Sequence, residues 1–210
     1  MSEEFRNNTK EEQPYEERNV SHEQSDGSSS LRRFIDFPRV NCLNESTHDG
    51  CKKILKPVDK QLTPEPYLSS QQDDAELLLH IPFTESVTIE SISIHSHSTG
   101  QNNTFAPRIV KLFLDRENFG FETARELLPA ATLELSPPRE GFVSSIIDYP
   151  LSPAGRFQNV SLISLFFVSN ASYNAESRTQ LSFVGFNGKG THAKREAPEW
   201  AVYEAFAHLE

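Results

Sequence analysis

The chain is poor in the residues on which many functions depend. Its 210 residues include two cysteines, one methionine, one tryptophan and nine glycines. Two cysteines, Cys42 and Cys51, exclude a disulfide-stapled secreted scaffold and a four-cysteine zinc site. They do not form a Cys-x-x-Cys pair, so both read as free thiols of a reducing compartment. Nine glycines leave little material for loops that cradle phosphate. Neither Gly-x-x-x-x-Gly-Lys-Ser/Thr nor Gly-x-Gly-x-x-Gly occurs, and the Gly-x-Ser-x-Gly elbow of serine hydrolases is missing. No apolar run approaches the roughly 18 residues that cross a bilayer. Positive charge is scarce as well: 20 Lys and Arg stand against 30 Asp and Glu, a formal net charge of -10. Nucleic acid and anionic membrane both repel such a chain, so neither is expected as a partner. The start, Met1-Ser2-Glu3-Glu4-Phe5, lacks the basic and apolar stretches of a secretory signal, and a cytoplasmic and nuclear location is expected.

What is abundant is phenylalanine, with 15 residues, and an uneven distribution of apolar groups. Residues 1–30 carry eight acids, three bases and six serines, with Met1, Phe5, Tyr15 and Val20 as the larger apolar groups. Such a segment buries too little surface to offset its ordering entropy and is expected to be a disordered, acidic, Ser-rich tail. Residues 31–210 form the expected domain. Residues 31–37 suggest a short strand, and residues 48–55 one or two helical turns stopped before Pro57.

Beyond Gln72 the pattern becomes strands between turn residues. Residues 76–83 (ELLLHIPF) and 109–115 (IVKLFLD) are apolar runs. Val87, Ile89, Ile92 and Ile94 alternate with polar residues, apart from a one-step slip at Glu90-Ser91 that predicts a bulge or bend. Further strands are expected over 132–135, 145–151, 161–168, 180–186 and 201–206, with one short helix over 119–128. Many strands without regular helical partners indicate an all-β fold, an antiparallel β-sandwich or barrel. Flat phenylalanine rings suit the gap between two sheets. The long loops 98–107 and 170–179 favour a jelly roll.

Few residues suggest chemistry. His95 and His97, two apart on a strand, face one side and suit a metal; without a nearby acid, a solvated strand end is the plainer reading. His80 reads as a histidine on the polar face of a strand. Cys42 with His48 is a conceivable nucleophile and base, against a small buried thiol. Asp73, Asp74 and Glu76 suit acid–base or calcium work, against a solvated turn before a strand. Lys189, His192, Lys194 and Arg195 form a basic loop in an acidic chain, a candidate contact for an acidic protein partner.

The ordered segments resemble a known family. They are Val40-Asn41-Cys42-Leu43-Asn44-Glu45, Ile54-Leu55-Lys56-Pro57 and Asp74-Ala75-Glu76-Leu77-Leu78-Leu79-His80-Ile81-Pro82-Phe83. Val110-Lys111-Leu112-Phe113, Phe157-Gln158-Asn159-Val160 and Leu165-Phe166-Phe167 follow. The last are Phe183-Val184-Gly185-Phe186-Asn187-Gly188, Ala193-Lys194-Arg195-Glu196-Ala197 and Val202-Tyr203-Glu204-Ala205. From Phe34 to Phe206 the chain resembles the PITH, or proteasome-interacting thioredoxin, domain, of the stand-alone type. Val58 stands where members often carry Trp, and Asp115 where many carry Asn. The resemblance implies a jelly-roll sandwich of the galactose-binding-like type. It also implies a non-enzymatic module, without cofactor, that associates with the 26S proteasome regulatory particle. A monomer is expected. The alternative is a jelly roll that binds carbohydrate or another small ligand, for which Trp200 is the single tryptophan available.

Overall fold

A computed structural model of the chain describes residues 30–98, 100–136 and 146–190. The expected tail up to residue 29, the strand at 201–206, and Trp200 lie outside the described residues. The strands are β1 (Asn41–Leu43), β2 (Leu68–Ser69), β3 (Leu77–His95), β4 (Thr104–Phe105) and β5 (Pro107–Leu114). They continue with β6 (Ala131–Glu134), β7 (Ile147–Pro150), β8 (Val160–Asn170), β9 (Arg178–Leu181) and β10 (Phe183–Gly190). Two short helices, α1 (Gly50–Lys53) and α2 (Phe121–Glu126), interrupt them. No helix among the described residues is long and apolar enough to cross a membrane.

The long strand β3 organises the sandwich. Its first half runs in a layer ordered β1-β3-β8-β5-β6. Its second half pairs with β7 on one side and β10 on the other. β8 gives way to β7 between Val87 and Ser91, while β10 is paired from Val87 onward, and the slip in the sequence pattern falls within that span. Ser91 stands opposite Asn187 and Ile89 opposite Gly188, which leaves Glu90 as the extra residue of a bulge. A bulge bends and twists its strand, so one strand serves both layers. Gly188 is required here, because a Cβ at this position would lie 1.9 Å from the Thr88 carbonyl oxygen. A small sheet, β2-β9-β4, closes one end, with β4 parallel to β9 in an otherwise antiparallel fold.

The main core lies between the layers. Leu77, Leu79, Ile81 and Phe83 of β3 point into it with Ile163, Leu165 and Phe167 of β8. The intervening residues of β3 face outward, yet Leu78 is fully buried too. It packs with Phe113, Phe166 and Ala124 in a second cluster beneath α2. That cover explains the mostly apolar run ELLLHIPF: a strand buried on both faces does not alternate. A helix of six residues has no stability alone. Its hold is the burial of Ala124 and of the Phe119, Phe121 and Leu127 rim against the sheet.

Two local expectations need correction. Residues 31–37 are not a strand but 3₁₀ turns at Leu31–Phe34 and Phe37–Arg39. Leu31 and Ile35 are buried while Arg33 between them is exposed; a strand would set all three on one face, and the turn does not. Ser30 caps the first turn at the Arg32 amide, and Pro38 stands in the first turn of the second. The expected strand 180–186 is two strands broken at Ser182, whose amide bonds the His95 carbonyl at 2.9 Å. There the chain leaves the small sheet for the large one.

Candidate functional site

Polar side chains gather around a histidine near each end of β3. At the first, Asn41 of β1, His80 of β3 and Ser164 of β8 stand in register across three strands. His80 is 8% exposed, so its expected position on a polar strand face is corrected to a covered one. Its Nδ1 lies 2.7 Å from Ser164 Oγ. Burial pushes its pKa below the usual imidazole value, with the Phe119 backbone pulling the other way. The Phe119 ring meets the imidazole edge to face at 5.1 Å.

The segment after β5 brings Phe119 there. Asp115 and Asn118 both adopt left-handed backbone, with φ of 50° and 57°, a conformation that Asn and Asp tolerate better than other side chains. Asp115 Oδ1 then accepts from the Ser161 amide at 2.8 Å, the Ser161 hydroxyl at 2.8 Å and the Leu162 amide at 3.1 Å. The tie fixes the loop over the sheet. Between loop and sheet lies a cleft of about 390 Å³ lined by Asn41, Leu43, His80, Asn118, Phe119 and Leu162 among others. Arg39 and Glu117 also line it and approach each other at 3.4 Å. Sequence reasoning missed this cleft. Its one legible signal is a histidine set inside an apolar strand.

At the other end, His95 and His97 do come together, with ring centroids 4.5 Å apart and planes at 85°. They are not the solvated strand end that their sequence context suggests. Both Nε2 atoms are buried without a hydrogen-bond partner. Ser182 donates its hydroxyl hydrogen to the His95 carbonyl at 3.2 Å. The same hydroxyl lies 2.9 Å from His97 Nδ1, a contact whose donor depends on the ring's tautomer. Lys56, 7% exposed, donates to the Thr63 carbonyl at 2.8 Å. Burial pushes His95 down to about 4, and His97 and Lys56 add to the depression. Burial lowers His97 too, with the Leu62 backbone opposing and Lys56 assisting. Among the described residues no group of three His, Cys, Asp or Glu forms a set for a metal.

The remaining candidates stay apart from both places. Burial pushes the Cys42 thiol well up, with Cys51 and Glu45 adding to the effect. Cys51 is raised to about 12 by burial and by Glu45. Thiols held protonated are poor nucleophiles. His48 is solvent-exposed, 3.6 Å from Asp49. Asp73 turns the chain with φ of 60°. Asp74 Oδ1 accepts from the Glu76 amide at 2.9 Å, and Glu76 pairs with Arg125. These carboxylates build a turn and an ion pair. Lys189 is exposed on β10, 3.2 Å from Glu90. His192, Lys194 and Arg195 lie outside the described residues.

Comparison with known proteins places this frame. Residues 21–207 match the PITH domain model. The chain belongs to the PITH domain family. PITH domain-containing protein 1 of Danio rerio is 34% identical over 179 residues, covering 85% of this chain and 78% of its own length. PITH domain-containing protein ZK353.9 of Caenorhabditis elegans is 31% identical over 176 residues, covering 84% and 78%. Their names state a PITH domain and no reaction. Among solved structures, the CBM32-1 and CBM32-2 domains of Clostridium perfringens ZmpB superpose with a TM-score of 0.52 at 10% identity over 76% of the chain. The chain spans 37% of that structure. At this identity the likeness speaks for the fold alone: this chain folds as a jelly roll like those domains.

Proposed function

We propose that this PITH domain is a non-enzymatic protein-interaction module of the cytosol and nucleus that associates with the regulatory particle of the 26S proteasome. The observation that carries the reading is the family match running unbroken over residues 21–207. The site chemistry is in keeping with it. The two thiols are held protonated, and the carboxylates before β3 serve a turn and an ion pair. A sandwich with broad faces offers room for an interface of ordinary size, roughly 800 Å² per partner. The basic stretch Lys189, His192, Lys194 and Arg195 is our choice for contact with an acidic partner surface.

Incubation of the tagged full chain with purified 26S proteasome, followed by crosslinking mass spectrometry, tests this reading. Crosslinks to regulatory-particle subunits are the expected result. Proteasome that passes through without retention overturns it.

A further inference from the structure

The cleft beside His80 ends at a strand edge. β1 pairs with β3 on one side, and no described strand reaches its other side. Outside that pairing, the backbone of residues 41–43 meets no described main-chain group; Cys42 Sγ rests on the Leu43 carbonyl at 3.4 Å. Asn41 and Leu43 belong to this strand and also line the cleft. Leu43 is 38% exposed. Edge and cleft are therefore one continuous surface. An unpaired edge offers amide and carbonyl groups at strand spacing, and what fits it is another extended chain.

The cleft restricts what that chain carries. Arg39 and Glu117 offset each other at 3.4 Å, so no net charge invites a phosphate or a carboxylate. Phe119 and Leu162 supply apolar surface, while Asn41 and Asn118 supply amides that both donate and accept. A volume of about 390 Å³ has room for an aromatic side chain. A ring with one polar edge satisfies both kinds of wall. The Asp115 tie holds the loop in place beforehand, which spares the cost of ordering it on binding.

We propose that β1 and the adjoining cleft receive a partner protein by strand addition: an extended peptide pairs with the β1 edge and seats a tyrosine or tryptophan ring against Phe119, between the Asn41 and Asn118 amides. In this mode main-chain bonds supply affinity and the pocket supplies selectivity. The inference rests on the interaction-module reading above and gives it a surface.

Selection of a random phage-displayed peptide library on the full chain tests it, with fluorescence anisotropy on the synthetic winners. The expected winners share a Tyr or Trp among β-branched residues. Leu43→Arg weakens their binding by at least about tenfold, which corresponds to about 1.4 kcal/mol. N-methylation of the peptide at alternate amides does the same in one alternation only, and it leaves the protein untouched. No enriched peptide, winners without an aromatic ring, or binding indifferent to both changes overturns the proposal. Capture of purified proteasome is measured alongside. Capture retained with no enriched peptide discards this cleft and leaves the interaction reading standing. Failed capture beside Leu43-dependent peptides discards the proteasome and keeps the cleft.

Discussion

His80 and His95 stand near opposite ends of one strand, yet their surroundings differ in kind. His80 has a hydroxyl partner in Ser164, a ring partner in Phe119 and a cleft beside it. His95 faces a second imidazole and an ammonium, and its Nε2 is sealed without a partner. The first end is satisfied and open to a visitor. The second keeps its imidazole neutral, because burial disfavours the charged ring. The comparison shows that a histidine on a strand acquires its role from what crosses over it.

The bulge between the two ends gives the largest expected effect. Gly188→Ala forces a Cβ onto the Thr88 carbonyl, 1.9 Å away, and is expected to cost roughly 3 kcal/mol or more. Chemical denaturation measures it. A loss under about 1 kcal/mol would mean that the joint between the halves is pliable and that the two ends are not held apart by it.

Acid separates the ends next. The folded His95 titrates at about 4, below its ordinary value of 6.5. The unfolded chain therefore binds more protons between those values. The His95 contribution is present above about pH 6.5 and is lost as pH falls toward 4. The loss is expected to be on the order of 2 kcal/mol, allowing for the partial exposure of the ring. Urea midpoints taken across that window in the unmodified chain and in His95→Asn give the difference. An equal slope in both breaks the contrast.

At the satisfied end, Ser164→Ala removes the hydroxyl that faces His80 Nδ1 at 2.7 Å. A loss of about 1 kcal/mol is expected, the ordinary worth of a side-chain hydrogen bond. A much larger loss would place stored strain at this end. Arg39→Ala gives the smallest effect, under about 0.5 kcal/mol, because an exposed pair with Glu117 contributes little. Thermal unfolding that moves by several degrees would show the rim to be part of the frame rather than of the docking surface.

Much of this fold was legible in the chain. Alternation located most strands, and the slip at Glu90-Ser91 located the bulge, because side-chain direction along a strand follows directly from residue order. The run ELLLHIPF announced burial on both faces but not the identity of its cover. Residues 31–37 misled because Phe34, Ile35 and Phe37 fit a strand as readily as the turns they form. The break at Ser182 was hidden, since a strand that changes sheets keeps its apolar pattern.

The site was far less legible. Asn41, His80, Ser164 and Phe119 are distant in sequence, and strand register together with the left-handed turns at Asp115 and Asn118 sets them side by side. The order of residues alone decided the all-β class, the strand positions and the family, since these depend on local periodicity and on segments read in sequence. The folded chain alone decided which histidine gained a partner, which lost its solvent, and where an edge is left unpaired among the described residues. Those properties depend on long-range neighbours, and only packing chooses them.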